Sequence, residues 1–141
     1  MNRTLVICKP DAVERGLVGE ILARFERRGL RLVAGELRLV DKDTAATHYA
    51  EHAERPFYGE LIEFITRSPS FVTVLEGPED TWSIVRTMMG ATNPAGAAPG
   101  TIRGDYGLET TENLVHGSDG PESAQREIAL WFPGLSAPGE A

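Results

Sequence analysis

Apolar positions along the chain switch repeatedly between two patterns, short buried runs typical of strands and the three-to-four-residue spacing of amphipathic helices. The runs predict strands over residues 4–8, 30–39, 71–77 and 114–116. The helical spacing predicts helices around residues 17–25, 43–49, 57–65, 82–89 and 124–131. This order predicts an α/β (α+β) fold of the ferredoxin-like split β-α-β type, a four-stranded antiparallel sheet whose helices cover one face.

Local signals refine the ends of these elements. Gly29 is placed to end the first helix, and a change of alternation across Gly35 predicts a bulged second strand. Asp43 is a candidate cap for the 43–49 helix, and Ser118 or Asp119 for the last helix.

The segment 90–112 breaks the compact pattern, since it is longer than the ~12–15 residues beyond which loops are usually functional or disordered. Ile102, Tyr106 and Leu108 can anchor it, so we predict a packed loop, with disorder as the alternative. Its polar and charged residues include Thr92, Asn93, Thr101, Arg103 and Asp105.

Size and charge narrow the classes of protein. The 141 residues predict a single domain, 1–141, with a surface tail from about Pro133. A net charge of −7 argues against broad nucleic-acid or anionic-membrane surfaces. The single cysteine, Cys8, cannot form an internal disulfide. The N-terminal apolar run is too short for a signal peptide or membrane span, so we expect a cytoplasmic protein.

His116 is the most informative residue. Leu114 and Val115 indicate the end of a buried strand, and Gly117 permits a sharp turn after the imidazole. An imidazole titrates close to neutral pH, so much of it is an uncharged nucleophile that can meet a phosphate near a helix N-terminus. The alternative is a histidine that only hydrogen-bonds a turn.

Phosphate binding here must rely on side chains, because neither G-x-x-x-x-G-K-[ST] nor G-x-G-x-x-G after a strand occurs. The candidate cations are Lys9, Arg55, Arg86 and Arg103. Taken singly, each is by default a solvated surface charge. Lys9 differs, because it follows directly on a buried central strand.

A second motif, His48-Tyr49-Ala50-Glu51-His52, matches the H-x-x-E-H zinc-peptidase pattern. A catalytic zinc also needs a third protein ligand, which the sequence does not supply nearby. Exposed helix histidines are the simpler interpretation, and a zinc peptidase remains an alternative.

A resemblance covers essentially the whole chain. The strings TLVICKPDAVERGLVGEI, ERPFYGEL, GATNP, PGTIRGDYG and NLVHGSDGPESAQREIALWF occur in the order and spacing of nucleoside diphosphate kinases. The last two strings are specific to that family. Two departures are small: Ala12 stands where many members carry glycine, and Ala91 where some carry glutamate.

The resemblance implies a ping-pong reaction that maintains nucleotide pools. His116 takes the γ-phosphate of a nucleoside triphosphate, mainly ATP, as a pros-phosphohistidine and passes it to a nucleoside diphosphate. It also implies that Lys9, Tyr49, Ser118 and Glu127 assist: Lys9 neutralises the migrating group, Tyr49 hydrogen-bonds near it, and Glu127, itself bonded by Ser118, orients the imidazole.

The same resemblance implies a nucleotide site in which Phe57 stacks on the base and Asn113 bonds the ribose. The matching nucleotide-binding positions are Lys9, Arg55, Phe57, Leu61, Arg86, Thr92, Arg103 and Asn113. It further implies Mg²⁺ held by phosphates and water without protein ligands. The implied partners are ATP, GTP and other ribo- and deoxynucleotides, without nucleic acid or membrane, in a homotetramer or homohexamer built from dimers. A protein that binds nucleotides without catalysis is a third class, which predicts binding but no phosphate exchange.

Overall fold

One antiparallel sheet organises the computed structural model, which describes residues 2–135. Its strands are β1 (Asn2–Cys8), β2 (Arg31–Arg38), β3 (Ser70–Gly77) and β4 (Val115–Gly117), in the spatial order β2-β3-β1-β4. The helices are α1 (Pro10–Glu14), α2 (Val18–Arg27), α3 (Lys42–His48), α4 (Tyr58–Thr66), α5 (Thr81–Met89), α6 (Ile102–Tyr106) and α7 (Pro121–Trp131). Short 3₁₀ turns lie at Ala50–His52 and Pro94–Gly96. The predicted ferredoxin-like fold is confirmed, and α1 and α6 are additions to the predicted elements.

Apolar clusters cover both faces of this sheet, so the predicted single covered face is wrong. Val6 and Cys8 belong to the cluster that packs on α2 and α5, whereas Leu5 and Ile7 belong to the cluster that packs on α3, α4 and α7. The signal was in the sequence, because consecutive apolar residues in β1 are typical of a strand buried on both faces.

The predicted bulge in β2 is confirmed, and it lies on the N-terminal side of Gly35. The register against β3 shifts between Leu32 and Ala34, while Gly35 pairs regularly with Thr73. A side chain at Gly35 would approach the Phe71 ring to 3.1 Å, so close packing accounts for this glycine.

The predicted helix caps are partly wrong. Asp41, not Asp43, is the N-cap of α3, because its Oδ2 accepts a hydrogen bond from the Thr44 backbone N–H at 3.0 Å. Gly120 precedes α7, and neither Ser118 nor Asp119 caps it. Gly29, with a φ of 102°, does follow α2 as predicted.

The long 90–112 segment is packed, as predicted, and contains α6. Ile102 is fully buried and Tyr106 half-buried, but Leu108 is 86 % exposed and is not an anchor. Arg24 on α2 holds the segment instead, through hydrogen bonds to Asp105 at 2.8 Å and to the Gly100 carbonyl at 3.2 Å.

The tail from Pro133 is described only in part. Pro133 and Gly134 are exposed, and Leu135 packs half-buried against the second apolar cluster. Residues 136–141 lie outside the described residues. Across 2–135, every helix is too short or too polar to cross a bilayer.

Candidate active site

A cleft of about 550 Å³ opens along β4 and beside the C-terminal end of β1, between the α3–α4 region and the long 90–112 segment. Its lining brings together most of the predicted site residues: Lys9, Tyr49, Phe57, Leu61, Arg86, Thr92, Arg103, Asn113, His116 and Glu127. Arg55 and Ser118 are outside that lining. Arg55 is exposed in the turn before α4, and Ser118 is buried behind His116.

His116 is held by a carboxylate behind it. Its Nε2 lies 2.8 Å from Oε1 of Glu127, and the same oxygen accepts a hydrogen bond from Ser118 Oγ at 2.8 Å. Ser118 Oγ in turn accepts from the Leu5 backbone N–H at 3.3 Å, which ties the group to the central strand. With Nε2 occupied by Glu127, Nδ1 is the ring nitrogen left for chemistry.

Glu127 keeps a lowered pKa although it is buried. Burial raises the pKa of its carboxyl, but the hydrogen bond and charge of His116 and the hydrogen bond from Ser118 act more strongly in the opposite direction, so the pKa is lowered overall. Glu127 is therefore an ionised carboxylate at neutral pH.

Lys9 is buried, and the side-chain amide of Asn113 holds its ammonium group in place. Its Nζ donates to Asn113 Oδ1 at 2.9 Å, and Asn113 Nδ2 donates to the Thr92 carbonyl at 3.0 Å. Burial lowers the pKa of Lys9 to about 8, and the nearby Arg103 charge adds to this, while Asp11 opposes it. An anion entering the cleft would favour the ammonium form further and raise this pKa.

The residue before β4 carries backbone strain. Leu114 has a φ of 75°, which is uncommon for a branched residue, and Val115 N–H bonds back to the Asn113 carbonyl at 2.9 Å in a tight turn. Asp11 Oδ2 accepts from the Leu114 N–H at 3.1 Å, and Lys9 N–H donates to the Leu114 carbonyl at 2.8 Å. These bonds hold Asn113 and His116 at fixed positions beside Lys9.

The two arginines in the cleft have structural ties as well. Arg103 is 5 % exposed and donates to the carbonyls of Asn113, Gly90 and Val115 at 3.1, 3.0 and 2.7 Å. Burial, assisted by the charge of Arg86, lowers the pKa of Arg103 to about 10. Arg86 Nη1 donates to the Gly117 carbonyl at 2.9 Å.

Two residues of the cleft lining carry a buried polar atom without a hydrogen-bond partner among residues 2–135. These atoms are the Tyr49 hydroxyl and His52 Nδ1. Burial raises the pKa of Tyr49, so its hydroxyl keeps its proton and remains a donor.

The outer part of the cleft is more open. Phe57 is 45 % exposed at the start of α4, with its ring centroid 5.7 Å from that of His52. Thr92 is also exposed, and Leu61 is half-buried on the next turn of α4.

The zinc interpretation of His48 and His52 is wrong. Helix α3 ends at His48, and His52 lies in the following 3₁₀ turn. His48 is buried rather than exposed, and its Nδ1 accepts a hydrogen bond from Trp131 Nε1 at 3.1 Å. Its remaining proton is therefore on Nε2, so neither nitrogen offers a metal a free lone pair.

The comparisons with known proteins agree on one family. The family model described as nucleoside diphosphate kinase matches residues 2–136. The nucleoside diphosphate kinase of Mycobacteroides abscessus is 63 % identical over 135 residues, covering 95 % of this chain and 98 % of the relative. That of Rhodococcus erythropolis is 61 % identical over 137 residues, covering 96 % and 98 %.

Solved structures give the same answer. A halophilic nucleoside diphosphate kinase from Halobacterium salinarum, in complex with CDP, is 50 % identical with a TM-score of 0.90, covering 93 % of this chain and 87 % of that one. A nucleoside diphosphate kinase family protein from Babesia bovis is 46 % identical with a TM-score of 0.92, covering 100 % and 95 %.

The fold and cleft therefore define a nucleotide-dependent phosphotransferase, and the chain belongs to the nucleoside diphosphate kinase family. Its reaction moves the γ-phosphate of a nucleoside triphosphate to a nucleoside diphosphate. The zinc peptidase and the non-catalytic nucleotide-binding protein are both wrong as alternatives.

Proposed function

We propose that His116 carries the phosphoryl group between donor and acceptor nucleotides, on Nδ1. The observation that supports this is the bond from His116 Nε2 to Glu127 at 2.8 Å, which leaves Nδ1 unprotonated. The Nδ1 lone pair forms a bond to the γ-phosphorus, and the bond from that phosphorus to the β-phosphate oxygen breaks, releasing a nucleoside diphosphate. Glu127 offsets the positive charge that the ring gains. Attack by a second diphosphate oxygen reverses these changes.

The cations of the cleft take complementary roles in this proposal. Lys9 follows the neighbouring strand β1, whose Ile7 pairs with His116, and it lines the same cleft, where it neutralises the migrating group. Arg86, Arg103, Thr92 and the more distant Arg55 bind the other phosphates, and the unpartnered Tyr49 hydroxyl donates to the group in transit. Ser118 acts indirectly, by holding Glu127.

The nucleoside binds toward the cleft mouth. The exposed Phe57 ring offers a face for stacking, which every base can use, and Leu61 extends that apolar wall. Asn113 bonds the ribose. Few groups here read base edges, so we infer broad use of ATP, GTP, other nucleotides and their deoxy forms.

We further propose Mg²⁺ as the cofactor, held by nucleotide phosphates and water. The cleft fits such an ion, because the exposed carboxylates of Glu51, Glu60 and Asp119 are oxygen groups that can bind its water ligands. When bound, Mg²⁺ neutralises phosphate charge. The protein then supplies the position of the phosphates and the nucleophilic ring nitrogen of His116.

We propose an assembly built from dimers, a homotetramer or homohexamer, in the cytoplasm. Strand β2 supports the dimer, because it is an edge strand bonded only to β3 among residues 2–135. Leu37, within β2, and Leu39, just after it, are both exposed. The buried free thiol of Cys8 fits a reducing compartment. Sedimentation velocity separates the two oligomers, and a monomer would contradict both.

The test of the nucleophile uses labelled ATP and GDP. We expect the label to appear on the protein without GDP, to survive alkali but not acid, and to leave on addition of GDP. His116→Ala should accept no label and lose exchange by about 10³-fold or more. Labelling and exchange in His116→Ala would contradict the proposal.

A further inference from the structure

A chain of side-chain contacts runs from Arg38 through Trp131 and His48 to His116, and the proposed mechanism gives the first three of these residues no role. Arg38, on edge strand β2, donates to the Trp131 carbonyl at 3.1 Å, and its guanidinium carbon lies 5.0 Å from the indole centroid. Trp131 Nε1 donates to His48 Nδ1 at 3.1 Å. The His48 ring lies edge-on to His116, with centroids 4.6 Å apart and planes at 76°.

The first link fixes the tautomer of His48. Because Trp131 donates to Nδ1, that nitrogen carries the lone pair and the ring proton is on Nε2. The ring also remains neutral: burial, followed by the charges of His116, Lys9 and Arg126, lowers the pKa of His48 to about 3, although Glu127 opposes the shift. One orientation and one protonation state of the ring are thus specified.

The second link meets the reacting group directly. One nitrogen of each histidine and one oxygen of Glu127 lie within 4.8 Å of one another, and both rings line the cleft. A single hydrogen bond to Glu127 leaves the His116 ring free to rock about that bond. An edge-to-face neighbour removes this freedom, since such ring pairs have a preferred geometry.

We propose that His48 is a positioning residue for the phosphoryl transfer: held in its Nε2–H tautomer by Trp131, it packs against His116 and keeps Nδ1 aimed at the incoming phosphorus. The inference rests on the proposed role of His116 as nucleophile. It differs from a purely structural role for a buried histidine, which would alter stability and leave the transfer rate unchanged.

The kinetic test measures phosphoenzyme formation by rapid quench against ATP concentration in the full chain. We expect His48→Phe, which keeps a ring but loses the bond to Trp131, to lower the maximal rate about 10-fold or more, as misplaced reacting groups do. The ATP dissociation constant should change by less than about 2-fold, because His48 holds the histidine and not the nucleotide. Trp131→Phe should lower the rate in the same direction.

Trp82→Phe is the matched control, because Trp82 is a half-buried indole on α5 that does not line the cleft. It should leave the maximal rate unchanged. A wild-type maximal rate in both His48→Phe and Trp131→Phe would overturn the proposal, even if both melt at lower temperature. Label on His116→Ala would instead overturn the proposed function, so the two failures are distinguishable.

A spectroscopic test can begin with the wild-type protein alone. In ¹⁵N-histidine spectra of the wild-type protein, we expect His48 to show a protonated Nε2 and an unprotonated Nδ1 from about pH 6 to about pH 9. In Trp131→Phe, an Nδ1–H population should appear. An Nδ1–H tautomer of His48 in the wild-type protein would overturn the proposal.

Discussion

The inner and outer halves of the cleft are built differently. In the inner half, Lys9, Asn113 and Glu127 are buried and each is bonded to another protein group. In the outer half, Phe57 is exposed. Arg55, two residues earlier and outside the cleft lining, is also exposed, and its side chain has no hydrogen bond or ion pair within residues 2–135. The protein itself therefore holds the inner side chains in place, whereas Phe57 and Arg55 are not held by polar side-chain contacts within residues 2–135.

This difference has a chemical reason. Phosphoryl transfer depends on the positions of charges about the reacting group, so displacement of an inner group affects the rate. Binding of a base by stacking tolerates small movements and many bases. Changes in the inner half should therefore act mainly on kcat, and changes in the outer half mainly on KM.

The largest effect should come from Lys9→Met. Removing the ammonium beside His116 takes away charge stabilisation in a buried site, so kcat/KM should fall by about 10²–10³-fold. Steady-state ATP–GDP exchange measures this loss. Lys42→Met, at the exposed start of α3, is the control. A loss below 10-fold, at about the level of an exposed charge, would contradict the account.

Glu127→Gln should lower kcat by about 10- to 100-fold, since the side chain can still bond His116 but no longer offsets its charge. KM should change little. Glu122→Gln, an exposed change in the first turn of the same helix, tests whether loss of any α7 carboxylate has this effect. Equal effects of the two substitutions would remove the special role of Glu127.

The alkaline limb of the pH profile should report Lys9. Its pKa is lowered from 10.5 to about 8, first by burial and then by Arg103, so the free enzyme loses the ammonium charge as pH rises through that value. We expect kcat/KM to fall up to about 10-fold per pH unit above it. The fall in kcat should lie at higher pH, because bound phosphates favour the charged amine. A kcat/KM that stays flat to about pH 10 would be inconsistent with this lowered pKa.

Phe57→Ala should raise the KM for ATP by about 10-fold, the equivalent of one lost stacking contact, with kcat nearly unchanged. Leu108→Ala is the control, because that side chain is 86 % exposed and does not line the cleft. A decrease in kcat without a change in KM would contradict this prediction, because it would mean that Phe57 affects the rate of phosphoryl transfer.

Arg55→Ala should have the smallest effect, a rise in KM of about 2- to 3-fold that disappears at high salt, as expected for an exposed charge. Measuring KM at low and high ionic strength checks this. An increase in KM that does not depend on salt would contradict this prediction, because it would mean that Arg55 acts like a buried charge such as Lys9.

The same contrast explains what the sequence could predict. Apolar runs located β1 and β3 almost to the residue, because burial on a sheet restricts residue types strongly. The motif strings contain about two thirds of the residues that line the cleft, including Lys9 and Glu127, but not Tyr49 or Arg86. Asp41 in place of Asp43 as a cap was beyond the pattern, because acidic residues stood at both positions and only the backbone decides between them.

His48 shows the limit most clearly. Its spacing of four residues from His52 matched a zinc-peptidase pattern, but α3 ends at His48 and the His48 side chain is buried. Its partner, Trp131, is 83 residues away, and no local spacing reveals such a contact. Only the tertiary fold brings the Trp131 indole and the His48 imidazole together with His116.

The central claim is that Glu127 holds Nε2 of His116 and thereby leaves Nδ1 to carry the phosphate. Combined ³¹P and ¹⁵N NMR of the phosphorylated protein tests it directly, because coupling identifies the ring nitrogen bonded to phosphorus. We predict one phosphorylated histidine, His116, with phosphorus on Nδ1 and a proton on Nε2. Phosphorus on Nε2, or on any residue other than His116, would contradict the account.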